Sequence, residues 1–149
     1  MKFVHILVEG QTEELFVREI LNEYLAPKAI YLNAIIAVTK HAIGSSVAHR
    51  GGVASYGKIK NALVGYMQDS NAVAVTTMID YYRLPADFPG LKDSTAQDAD
   101  CYKVVAYLEQ KFANDIGSTK FIPYLAIHEF EGLLFSAPEK IVSEVRGAE

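Results

Sequence analysis

Ala72-Val73-Ala74-Val75-Thr76-Thr77-Met78-Ile79-Asp80 decides the fold. Uncharged, mostly apolar residues follow one another here without the alternation of a strand that shows one face to water. Such a run suits a strand covered by helices on both faces, the usual situation at the centre of a parallel sheet. Asp80 ends it abruptly. The neighbouring segments agree. Upstream, Ile59, Leu63, Tyr66 and Met67 recur at helical spacing and predict a helix over residues 57–69. Downstream, Val104, Val105, Leu108 and Phe112 predict another over residues 96–114.

Working outward, residues 2–8 and 30–39 read as strands, and residues 121–127 as the last clear one. Between the first two runs a helical stripe of Leu15, Phe16, Ile20, Leu21, Tyr24 and Leu25, ended by Pro27. Thr12 is the expected N-cap of that helix. Glu13 and Glu14 then fall in its first turn, where the helix dipole favours carboxylates. Residues 41–56 hold His49, Arg50, Gly51 and Gly52 and keep no period, which predicts a long loop, mobile without ligand. Residues 81–95, with Pro85, Pro89 and Gly90, form a loop after the central strand. A short helix is expected over residues 131–135, and Pro138 opens another over 139–145.

Strands alternating with helices give an α/β fold, a mostly parallel central sheet flanked by helices in a Rossmann-like three-layer arrangement. The 149 residues make a single domain, residues 1–149. The final stretch from Ser143 to Glu149 adds no apolar element, as in an excised domain or a truncated protein.

Composition limits what such a domain does. Half the residues are apolar, an ordinary globular balance. With 14 basic and 18 acidic residues the formal charge is −4, so any nucleic acid must be met by local basic groups or by a partner's. The lone cysteine, Cys101, forms no internal disulfide and no cysteine zinc cage, and its acidic flank disfavours a nucleophilic thiol. No run has the length of a membrane span or the form of a secretory leader, and a cytoplasmic location is expected. Val-Glu-Gly-Gln-Thr-Glu at residues 8–13 lacks the glycine repeat and lysine of a phosphate-binding loop, and no GxGxxG pattern occurs.

Ligands of parallel sheets bind beyond the carboxyl ends of the strands. Acidic residues stand at three such ends: Glu9, Asp80, and Glu129 with Glu131. Each taken alone has a plain reading, since strands end where polarity begins. Together they would repel one another and need a cation, and an all-oxygen set suits Mg2+ or Mn2+. Glu129 and Glu131 lie two apart, so only one is expected to point into the site unless the backbone there is extended. His128 could orient a carboxylate or bind phosphate, and packing accounts for it equally well.

The segments Glu9-Gly10-Gln11-Thr12-Glu13, Met78-Ile79-Asp80-Tyr81-Tyr82-Arg83-Leu84-Pro85 and His128-Glu129-Phe130-Glu131-Gly132-Leu133-Leu134-Phe135, with the Arg50-Gly51-Gly52 loop, resemble a bacterial family known as domain of unknown function 4276. That family is similar to the Toprim superfamily, including the nuclease domains of overcoming-lysogenisation-defect proteins. The resemblance implies a Toprim-like fold, with metal binding or acid/base work for Glu9 and Asp80 and a second acidic position at Glu13. Tyr82 stands where the Toprim pattern has a second aspartate, and Glu129 or Glu131 would compensate. If the backbone at 80–82 is extended, these two positions share a face.

The leading expectation is a metal-dependent nuclease-like domain for DNA or RNA phosphodiesters, in a defence or DNA-processing setting. Glu9, Asp80 and Glu129 or Glu131 would hold Mg2+ or Mn2+, Glu13 would assist a second ion, and His49, Arg50, Lys58 and His128 would contact substrate. The alternative is a non-catalytic partner or regulatory domain of an ATPase subunit. A small phosphoryl-transfer enzyme is a weaker third.

Overall fold

The computed structural model describes residues 1–37, 55–93, 100–137, 139 and 140. Most of the glycine-rich segment, with His49 and Arg50, lies outside these residues, as does the helix expected after Pro138 beyond its first two residues, Glu139 and Lys140, which are helical. Strand β1, Lys2–Val8, leads into a helical segment built of α1 (Gln11–Phe16), a π-helical turn (Val17–Leu21), α2 (Asn22–Leu25) and a 3-10 turn (Ala26–Lys28). Strand β2 (Ile30–Ile36), helix α3 (Tyr56–Met67) and strand β3 (Ala72–Asp80) follow. A 3-10 turn (Tyr81–Arg83), helix α4 (Cys101–Ile116), strands β4 (Phe121–Ile122) and β5 (Leu125–Ala126), and a 3-10 segment (Phe130–Ser136) complete the order.

The sheet is parallel, with strand order β2-β1-β3-β4, and β5 also pairs with β3. Alternation along β1 divides its side chains between two cores. Ile6 and Val8 pack with Val17 and Leu21 beneath the first helical segment. Leu7 joins Val75, Ile79, Ile59, Leu108 and Phe112 under α3 and α4. The result is the three-layer α/β arrangement expected of the central run. At the edge strand, Asn22 mimics a neighbouring peptide: its Nδ2 donates to Leu32 O at 3.0 Å and its Oδ1 accepts from Leu32 N at 2.7 Å.

The last strand, expected to be continuous over 121–127, is broken at Pro123-Tyr124. Its two halves keep one register: Phe121 and Ile122 face Val75 and Thr76, while Leu125 and Ala126 face Ile79 and Asp80. The gap is closed by the buried Thr77 side chain. Its hydroxyl donates to Tyr124 O at 2.7 Å and accepts from Tyr124 N at 3.1 Å. Thr77→Val keeps the shape and removes both bonds, and should cost about 1–3 kcal/mol. Urea unfolding measures this; an unchanged midpoint would show that the hydroxyl holds nothing that matters there.

Candidate metal centre

The first helical segment, which follows β1, packs on one face of the sheet, whereas α4, which follows β3, packs on the other. In the strand order β2-β1-β3-β4 the connections leave β1 and β3 in opposite directions. A crevice opens beyond the carboxyl ends of two strands related in this way. Glu9, the first residue after β1, and Asp80, the last of β3, stand at its two sides. Both are nearly excluded from water, at 7% and 6% exposure.

The backbone N–H of Asp80 reaches Glu9 Oε2 at 3.4 Å, and Arg83 Nη1 lies 3.4 Å from Glu9 Oε1. Burial pushes the Glu9 carboxyl above its ordinary range; the Asp80 amide and the Arg83 charge oppose this, and the Asp80 charge reinforces it. Arg83 was not singled out in the sequence as a site residue. The 3-10 turn Tyr81–Arg83 explains its position, because a turn of three residues brings it back over the strand end.

Tyr82 extends the array. The Arg83 guanidinium lies 5.4 Å from its ring centre, and the Glu129 carboxylate lies close enough to its hydroxyl to act on it. Desolvation, then the neighbouring Glu129 carboxylate, then the Asp80 charge push the Tyr82 hydroxyl up to about 12, so it stays protonated across the neutral range. Side chains thus follow one another from the end of β1 to the segment after β5, in the order Glu9, Arg83, Tyr82, Glu129. The sharing of one face by positions 80 and 82, expected for an extended backbone, does not hold: Asp80 is still extended, but the 3-10 turn begins at Tyr81.

The other expected residues are placed as follows. Thr12 is not the helix cap. Gly10 is, and the Glu13 carboxylate reaches back to the Gly10 N–H at 3.1 Å, which commits Glu13 to the end of α1. Lys58 is exposed near the start of α3, beside Ile36 and Ala37 at the carboxyl end of β2. His128 and Glu129 are exposed and line a cavity of about 690 Å3 between β5 and α4. Glu131 lies on the 3-10 segment Phe130–Ser136, and its side chain is outside the described ones. Among the described residues no three His, Cys, Asp or Glu side chains come together closely enough to hold a metal ion. The convergent unit is a carboxylate pair with an arginine.

The model of a family described as domain of unknown function (DUF4276) matches residues 8–148. The chain belongs to this family. No curated protein and no solved structure matches it. In this DUF4276 chain the matched span takes in Glu9, Asp80, Tyr82, Arg83 and Glu129 together. Among the described residues no helix is long and apolar enough to cross a membrane.

Proposed function

We propose that this DUF4276 chain is a Toprim-like domain that hydrolyses nucleic-acid phosphodiesters with Mg2+ or Mn2+. One observation carries the reading: two nearly buried carboxylates, Glu9 and Asp80, stand at the adjacent carboxyl ends of β1 and β3, near enough for the charge of one to act on the other. Two shielded anions call for a cation. Mg2+ is commonly held by only one or two carboxylates, with water and substrate phosphate oxygens completing its shell, so the pair fits this ion without a third protein ligand. Bound there, it would polarise the phosphoryl group and lower the pKa of water.

The chain's own residues supply the rest. Glu9 and Asp80 hold the ion. Arg83, half exposed and already at Glu9, is placed to take a phosphate oxygen through its planar fork. Glu129, near the Tyr82 hydroxyl, would accept a proton from attacking water or reach the ion through one. Lys58 adds positive charge near the carboxyl end of β2. His49, Arg50, His128 and Glu131 stay candidates for substrate or metal contact, and DNA or RNA, in a defence or DNA-processing setting, stays the substrate class.

A second reading has an observation of its own: Arg83 already neutralises Glu9, and Tyr82 stands where Toprim domains carry an aspartate. On that reading the chain is a non-catalytic partner or regulatory domain of an ATPase. Thermal melts separate the two. At about a hundredfold excess of ion over Kd the fold should gain about 2.7 kcal/mol, several degrees in a domain of this size. Asp80→Asn should lose that gain while its metal-free melting temperature stays equal or rises. Equal gains in both proteins would show that Asp80 is no ligand.

A further inference from the structure

Apart from His128 and Glu129, the residues lining the cavity between β5 and α4 take no part in the chemistry above. Its volume, about 690 Å3, lies within the range of small-molecule sites. Its walls are largely apolar, with Met78, Val105 and Leu133 among them, and the rings of Tyr102 and Tyr124 border it at 67% and 51% exposure. Aromatic rings exposed on a concave apolar wall are suited to stacking on flat heteroaromatic groups.

Charge narrows the choice. The described lining carries the carboxylates of Glu109 and Glu129 and the imidazole of His128, and no lysine or arginine. A phosphate or an acidic peptide is disfavoured there, and an uncharged ring bearing N–H donors is suited. Glu109 is held in place, since its Oε1 accepts the Leu125 N–H at 2.8 Å. Glu129 lines this cavity and lies near Tyr82, whose neighbour in the chain, Arg83, reaches Glu9. A base attached to a phosphate at the Glu9–Asp80 crevice therefore has the cavity as its neighbour.

We propose that this cavity is a nucleobase site selective for bases with an exocyclic amino group, stacked on Tyr102 or Tyr124 and read by Glu109. The biological substrate rests on the phosphodiester reading given above; the test does not. The full chain is titrated by calorimetry with nucleosides in the presence of EDTA, so that neither phosphate nor metal is involved. Cytidine and adenosine should bind saturably in the millimolar range, and uridine more weakly. Tyr102→Ala, at an exposed position of α4, should weaken binding about tenfold. Glu109→Gln retains a carbonyl to accept from Leu125 N–H and should narrow the preference for cytidine over uridine. Thermal melts verify that both variants are folded. No saturable binding, or equal binding of cytidine and uridine, would overturn the proposal. So would choline binding more tightly than any nucleoside, which would assign the cavity to cations instead. Loss of metal binding at Glu9 leaves these outcomes untouched, and failure here leaves the carboxylate pair untouched.

Discussion

Glu9→Gln should abolish metal-dependent cleavage of single- or double-stranded nucleic acid. The loss should be on the order of a hundredfold or more, because even residues that only support a metal ligand cost about tenfold to a hundredfold. The substitution keeps the size of the side chain and its ability to accept the Asp80 N–H, so the crevice should retain its shape. Activity in the parent should require Mg2+ or Mn2+ and disappear with EDTA. Parent-like cleavage by Glu9→Gln would remove Glu9 from the chemistry.

The same variant reveals a pH effect. Burial holds the Glu9 carboxyl above its ordinary value of 4.5, so the folded chain binds this proton more tightly than the unfolded one. The stability that Glu9 contributes to the metal-free fold is full below 4.5 and is lost as pH rises through the raised folded-state value. Metal binding runs the other way, because it needs the carboxylate deprotonated. Subtracting the metal-free stability curve of Glu9→Gln from that of the parent should leave a fall with rising pH in that window. A flat difference would mean that burial imposes no cost on the charge.

Phe112→Ala should be the most damaging core substitution of those raised here, at about 3–5 kcal/mol. Phe112 is fully buried on α4 and meets Phe121, Phe88 and Tyr56 edge-on, with ring centres 4.7, 4.9 and 5.8 Å away. These partners come from β4, from the loop after β3 and from the first residue of α3, so one cavity would loosen three elements. Tyr56 is independently fixed: its hydroxyl donates to Asp115, which Lys60 also approaches at 2.9 Å, and its backbone N–H donates to Asp87 at 3.0 Å. Because domains of this size are stable by only about 5–15 kcal/mol, the urea midpoint should drop by a large fraction. A small shift would mean that Phe88 and Phe121 collapse into the space.

The central strand was legible because its apolar run admits little else, and the helices over it because Ile59, Leu63, Leu108 and Phe112 recur at helical spacing. Asp80 and Glu9 were legible as strand ends. What sequence spacing could not show was their partners. Arg83 reaches Glu9 because the chain tightens into a 3-10 turn at Tyr81, within the segment read only as a loop. The break at Pro123 is bridged by Thr77, a tertiary contact 47 residues away in the chain. The helix cap was misplaced by two residues, although Glu13 three positions after Gly10 has the capping-box spacing that points to it. The π-helical turn at Val17–Leu21 left no signal in the apolar stripe.

The most direct measurement of the Glu9–Asp80 pair as a cation site is calorimetric titration of Mn2+ into the parent, Glu9→Gln and Asp80→Asn, each verified as folded by its melt. Saturable binding by the parent at millimolar ion or below, lost in both variants, is the expected result. No binding by the parent at millimolar Mn2+, or binding unchanged in both variants, would contradict it.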